Sequence, residues 1–149
     1  MPHSYTQLLY HIVFSTKNRH PWLADIRSRV HAYLGAAIGD EGGTALCVGG
    51  VDDHVHILAR LRPDKAVSAV IGAIKANSSG WVHREFPDRT EFAWQTGYAA
   101  FAVSKSQEGR VRHYIETQEE HHQHQPFQEE LIALLDAHEI EYDDRYLWT

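Results

Sequence analysis

Val51-Asp52-Asp53-His54-Val55-His56-Ile57-Leu58 is the stretch on which the reading of fold and chemistry turns. Side chains of an extended strand change face at every residue, so His54 and His56 share one face while Val55 and Ile57 share the other. Two polar rings inside an otherwise apolar strand lie close enough to hold one metal ion. A His-x-His by itself more often marks surface or hydrogen-bonded core histidines, so the reading needs a second element. That element is Tyr114-Ile115-Glu116-Thr117-Gln118, helical in pattern, with Tyr114 and Gln118 four residues apart on one face. Docked over the strand, this helix would bring the Gln118 carbonyl oxygen to the imidazoles as a third ligand, with the Tyr114 hydroxyl beside an open side of the ion. Such a site suits the cutting of a phosphodiester.

Upstream, Tyr5 to Ser15 is a β-branched and aromatic run that predicts a central strand. His11 within it reads as a hydrogen-bonded strand histidine, the alternative being that it faces the His pair. Lys17-Asn18-Arg19-His20-Pro21 is a loop in which Lys17 and Arg19 are candidate phosphate contacts. From Ala24 to Ile38 the residues Ile26, Val30, Leu34 and Ile38 recur every four positions, as in an amphipathic helix lying on a sheet. Gly39 and Gly42-Gly43 stop it. Thr44 to Val48 predicts a short strand, paired as a hairpin with the His-bearing strand that runs to about Leu61.

After Arg62-Pro63-Asp64 a second helix carries Val67, Val70, Ile71 and Ile74. Arg60, Arg62, Lys75 and Arg84 are further candidates for contact with a nucleic-acid backbone. Phe92 to Val103 predicts one strand bent at Gly97, or two short ones. Ser104 or Ser106 is the expected cap of the helix bearing Tyr114 and Gln118. The tract His121-His122-Gln123-His124 reads as a solvated helix end, with an added ligand as the alternative. Phe127, Leu131, Leu134 and Leu135 mark a last helix, and Tyr142 to Trp148 is an aromatic tail expected to pack on the body or on a partner chain.

The order strand, helix, strand, strand, helix, strand predicts an α+β, ferredoxin-like (split βαβ) fold: an antiparallel sheet with two helices on one face. The added tyrosine-bearing helix is then free to cover the other face. The 149 residues are expected to form a single domain, 1–149, long enough for a substantial core. With 43% hydrophobic and 23% charged residues the chain reads as soluble and globular. No apolar run approaches the roughly 18 residues of a membrane span. Met1-Pro2-His3-Ser4 has no signal-peptide pattern, so the cytoplasm is the expected location. The single Cys47 excludes an internal disulfide and reads as core. A net charge of −6 argues against a protein that coats nucleic acid, but the acids concentrate at 116–130 and 139–144, leaving another face able to be basic.

With these motifs in place the chain resembles the single-tyrosine HUH transposases of the IS200-like insertion sequences, a group that includes the REP-associated tyrosine transposases. The resemblance rests on Tyr10-His11-Ile12-Val13-Phe14, Asp53-His54-Val55-His56-Ile57, Lys75-Ala76-Asn77-Ser78-Ser79, Phe92-Ala93-Trp94-Gln95-Thr96-Gly97-Tyr98 and the helix from Tyr114 through Gln118 to His122. It implies His54, His56 and Gln118 as ligands of Mg²⁺ or Mn²⁺, Tyr114 as nucleophile, and a homodimer in which active sites are shared. The expected activity is cutting and rejoining of single-stranded DNA with hairpin ends through a 5′-phosphotyrosine. Two alternatives stand beside it: a non-catalytic nucleic-acid-binding module on the same fold, and a metal-dependent nuclease that uses water.

Overall fold

The computed structural model describes residues 4–149, and Met1-Pro2-His3, read above for its lack of a signal pattern, lies outside them. The elements are β1 (Leu9–Ser15), α1 (Arg27–Asp40), β2 (Thr44–Val51), β3 (His54–Arg60), α2 (Val67–Glu85), β4 (Ala99–Val103), α3 (Glu108–Glu116), α4 (Gln118–His122) and α5 (Phe127–Ala137). The strands form one sheet in the order β2-β3-β1-β4, each neighbour antiparallel. Two interleaved β-α-β units produce this order, so the His-bearing β3 lies in the interior of the sheet as the ferredoxin-like reading requires. The two-residue turn Asp52-Asp53 closes the β2–β3 hairpin. It is pinned from β1's side by Thr16 N–H to Asp53 O at 2.8 Å and Leu23 N–H to Asp52 O at 3.0 Å.

Period-two alternation divides the sheet's side chains between two different layers. Ile12, Phe14, Val55, Ile57 and Ala59 face α1 and α2, where Val30, Leu34, Ile38, Val70, Ile71 and Ile74 complete the main core. The register sets Ser15 against His54 and Val13 against His56, and their side chains turn to the opposite face. There Val13 and Phe101 pack with Phe127, Leu131 and Leu135 of α5 in a second, smaller core. Leu147 and Trp148 of the aromatic tail pack against that core, while Tyr142 and Tyr146 stay exposed.

Three local expectations are corrected. Residues 92–98 form no strand; only Trp94 bridges to Thr16. The Gln95 side-chain oxygen takes the Ser15 N–H at 2.7 Å, standing in for a strand carbonyl, and Trp94 turns into the core to donate to Ser78 Oγ at 2.9 Å. The helix expected through Gln118 breaks at Thr117 into α3 and α4. Thr117 Oγ1 donates back to His113 O at 2.9 Å and Gln118 Nε2 to Tyr114 O at 3.2 Å, side-chain bonds that compete with the helical ladder. Ser104 and Ser106 bond to each other at 3.0 Å and neither caps a helix; a 3-10 turn, Lys105–Gln107, leads into α3 instead.

Gly49 sets the height of α3 above the sheet. It pairs with His56 across the hairpin, and a Cβ there would fall 2.3 Å from Ile115 O and 2.9 Å from Ile115 Cγ2. Its neighbour Gly50 has φ +145, with a Cβ position 2.3 Å from His54 O, so the backbone itself requires glycine. Gly49→Ala is expected to lower stability by about 1–3 kcal/mol, the usual penalty for overpacking, because α3 must lift. Urea unfolding checks it, and an unchanged midpoint would mean that α3 does not rest on Gly49.

Candidate metal and nucleophile site

His54 and His56 are fully buried on the face of β3 covered by α3, α4 and α5. Asp53, the residue that ends the hairpin turn, lies 2.7 Å from His54 Nδ1 and accepts its N–H. This fixes His54 with Nε2 turned inward. His56 Nδ1 lies 2.8 Å from His11 Nε2, so His11 both faces the site and is hydrogen-bonded, joining the two readings of it. Gln118 is buried beneath the α3–α4 break, with Oε1 3.2 Å from His54 Nε2. Tyr114 donates its hydroxyl to Glu130 Oε2, and its ring lies 5.7 Å from that of His56. All four residues named from sequence are thus brought together within one chain.

Two further side chains enter the cluster. Glu130, 1% exposed, places Oε1 3.0 Å from His56 Nε2, 3.3 Å from His54 Nε2 and 3.1 Å from His122 Nε2. His122 also lies 2.9 Å from Gln118 Oε1, so the reading of its tract as a solvated helix end is corrected for this residue. His122 carried a signal, continuing the Tyr114–Gln118 row by four more positions. Glu130 carried one too: between Phe127 and Leu131 it takes a place on the apolar stripe of α5, where a carboxylate is unexpected without partners. One donor atom from each of His54, His56, His122 and Glu130 can be chosen so that all four lie within 4.8 Å of one another. Imidazoles and a carboxylate converging at that spacing fit a divalent transition ion, with the Gln118 oxygen at the edge of the same set.

The basic candidates separate by location. Lys17 and Arg19 follow β1 at the end that pairs with His54, and Arg19 lies over the Trp148 ring at 5.3 Å. Arg60 and Arg62 stand at the other end of β3. Arg62 is paired with Asp64 in two hydrogen bonds, at 2.8 and 2.6 Å. Lys75 lies on the α2 side of the sheet and donates to the carbonyls of Thr96 and Gly97 at 3.1 and 2.9 Å, holding the 92–98 loop. Openings lie beside the cluster. A cleft of about 550 Å³ runs past Arg27, Asp53, His122 and Phe127, and a more apolar pocket of about 470 Å³ beside Tyr114 is walled by His11, Phe101, Val111 and His138.

The buried charges shift one another. Burial alone would lower the His54 imidazole, but the Asp53 and Glu130 carboxylates together outweigh it and raise it to about 9. Burial lowers His56 to about 4 despite Glu130, and lowers His11 to about 3 with help from His56. For Glu130 burial works upward, yet hydrogen bonds from His122, His54 and His56 hold its carboxyl far below the usual range. Burial and then the Glu130 charge push the Tyr114 phenol well above its ordinary value. Outside the cluster, burial and then Arg27 lower His31 to about 4.

These shifts have a sign. His11, His31 and His56 stay neutral in the fold below the 6.5 at which the unfolded chain protonates, so their stability contribution is full above 6.5 and drains away as pH falls toward about 4 for His31 and His56 and about 3 for His11. His54 works in reverse, contributing fully below 6.5 and losing its contribution as pH rises through about 9. The melting temperature of chelator-treated protein is expected to peak near neutrality and to fall more steeply on the acid side, each depressed histidine contributing up to about 1.4 kcal/mol per pH unit. A profile flat between pH values of about 5 and 9 would contradict this electrostatic picture.

Residues 4–118 match the family described as "Transposase IS200 like". The ISDra2 transposase TnpA of Deinococcus radiodurans is 25% identical over 118 residues, covering 75% of this chain and 84% of that protein. The transposase for insertion sequence element IS200 of Salmonella typhimurium is 28% identical over 124 residues, covering 79% and 81%. Two solved structures share the fold. A crystal structure described as a transposase from Deinococcus radiodurans R1 aligns with a TM-score of 0.63 at 24% identity, over 79% of this chain and 96% of that one. The REP-associated tyrosine transposase bound to a REP hairpin aligns with a TM-score of 0.54 at 15% identity, over 77% and 67%. Because the matched segment runs from before β1 to Gln118 and takes in both the His pair and the tyrosine, the chain belongs to the IS200-like transposase family.

Proposed function

We propose that this chain, acting as a single transposase domain over residues 1–149, cuts and rejoins single-stranded DNA with Tyr114 as nucleophile and a divalent ion, Mg²⁺ or Mn²⁺, held by His54, His56 and Gln118. The observation that carries the reading is the convergence, on one sheet face and from segments sixty residues apart, of the His pair and Tyr114, whose ring lies 5.7 Å from that of His56 and whose hydroxyl donates to the Glu130 carboxylate that both imidazoles touch. A bound ion would neutralise the non-bridging oxygens of the scissile phosphate and orient it for in-line attack. The rest falls to the protein. Asp53 and His11 hold the two imidazoles by their outer nitrogens. Tyr114 Oη attacks phosphorus, the phosphorus–O3′ bond breaks, the phenol gives up its proton and the departing 3′ oxygen gains one. The product is a 5′-phosphotyrosine ester and a free 3′-hydroxyl. A second 3′-hydroxyl attacking that ester reverses the step, so ends are exchanged without an external energy source.

Single-stranded DNA is the substrate this arrangement supports, because the phenol lies half-buried between α3 and the sheet and a strand must be splayed to thread its phosphate to it. The apolar pocket beside Tyr114 has ring faces on which a splayed base can stack, and Lys17 and Arg19 at the His54 end of β1 are the proposed backbone contacts. The fold relative bound to a REP hairpin supports hairpin DNA as the partner class. A homodimer acting in the cytoplasm completes the reading. Tyr114 reaches the His pair of its own chain, which supports action in cis even there.

Labelled single-stranded hairpin DNA incubated with Mn²⁺ should yield a protein–DNA adduct on a denaturing gel. Tyr114→Phe should lose the adduct and bind DNA within about twofold of the parent, one hydroxyl contributing little to a phosphate-dominated affinity. Adduct from that variant would refute the nucleophile, and cleaved product with no protein attached would assign the attack to water. Mixing Tyr114→Phe with His56→Ala is expected to restore no adduct. Restoration would show that the tyrosine serves the partner's metal site.

A further inference from the structure

The family match ends at Gln118, yet two donors of the cluster lie beyond it: His122 on α4 and Glu130 on α5. Resting on the His54–His56 metal site proposed above, we infer that α5 completes that centre, with Glu130 Oε1 as its anionic ligand and His122 as a third imidazole. Glu130 Oε2 holds the Tyr114 hydroxyl, so one carboxylate ties the nucleophile to the ion.

A carboxylate this deeply buried needs compensating charge or donors. Without an ion the three Nε2–H groups supply them, which is why Glu130 Oε1 stands 3.0–3.3 Å from each. An ordinary structural ion pair would be satisfied by one of those imidazoles. Here three converge on one oxygen, and two are further held by Asp53 and His11 at their outer nitrogens, the arrangement that presents Nε2 to a metal. For His56 the tautomer must exchange on binding: Nε2–H donates to Glu130 without metal, and Nδ1–H donates to His11 once Nε2 is a ligand. α5 is anchored for this task. Phe127 packs on the His54 ring at 4.4 Å between centroids, and Leu131 and Leu135 lie in the smaller core, so the helix delivers Glu130 rigidly. Three imidazoles, one carboxylate and the Gln118 oxygen form a set that suits Mn²⁺ or another transition ion better than Mg²⁺.

The test is Mn²⁺ titration of the full chain, followed by the electron paramagnetic resonance signal of the free ion. Glu130→Gln and His122→Ala are each expected to weaken binding at least about tenfold, since even partners outside the ligand set change metal affinity that much. Glu130→Asp, which keeps the charge on a shorter arm, should recover part of the loss. His54→Ala sets the floor. If His54→Ala abolishes binding while Glu130→Gln and His122→Ala stay within about twofold of the parent, the inference is overturned and the His54–His56–Gln118 site stands. A parent protein that takes up no Mn²⁺, or a His54→Ala protein that binds it as well as the parent, removes that underlying site instead. Should Glu130→Gln fail to fold, His122→Ala, at the rim with 9% of its side chain exposed, decides the matter alone.

Discussion

A buried imidazole is tolerated inside a sheet only when its nitrogens find partners, and β3 buries two on the same face. That constraint governs what can cover them. An apolar helix laid over His54 and His56 would leave Nε2 of each unpaired in a dry interior, so α3–α5 must bring polar groups inward: Gln118, His122 and Glu130 do so. The opposite face has no such requirement, and α1 and α2 pack there on Val55, Ile57 and Ala59 as a plain hydrocarbon layer. The difference between the two layers arises from the alternation along one seven-residue strand.

Closeness on the polar side depends on small features of the backbone. Gly49 lets α3 settle onto the sheet, and the break at Thr117 allows Gln118 to turn its amide oxygen to the imidazoles while its nitrogen stays bonded to Tyr114 O. A helix continuous through 117 would hold Gln118 on the Tyr114 row and direct both side chains alike. With the break, the phenol reaches the carboxylate of α5 and the amide reaches His54. Phe127, Leu131 and Leu135 then fasten α5 to the sheet by apolar contact on either side of its one buried charge.

The acidic balance of the chain also takes a different form in three dimensions. Glu130 belongs to the acidic stretch at 116–130 but lies in the interior, and Glu119 from the same stretch pairs with Arg27 at 2.7 Å. Local field at the cluster is set by Glu130, Asp53 and the three imidazoles, with net charge playing little part there. The same holds for the cations, since Arg62 is occupied by Asp64 and Lys75 by loop carbonyls. Lys17 and Arg19 follow the strand end beside His54.

The order of elements, the hairpin, the sharing of a face by His54 and His56, and the pairing of Tyr114 with Gln118 were all legible in the sequence, because each depends on periodicity or on spacing along a local segment. Residues 92–98 have the composition of a strand yet form none, because Gln95 replaces a backbone acceptor by its side chain, a substitution that leaves no mark in a hydropathy pattern. The break at Thr117 was likewise hidden, since Thr and Gln are ordinary helix residues until their side chains find a carbonyl. Glu130 is the site residue least legible in the sequence. Its place on the apolar stripe of α5 announced a buried carboxylate, but its partners lie on other elements, up to 76 positions earlier at His54. Local sequence determined which groups would be presented and on which face. Only the packing of α5 over the sheet decided that they meet, because that docking balances one buried charge against two distant imidazoles and a nearer one, His122, and no local pattern records the sum.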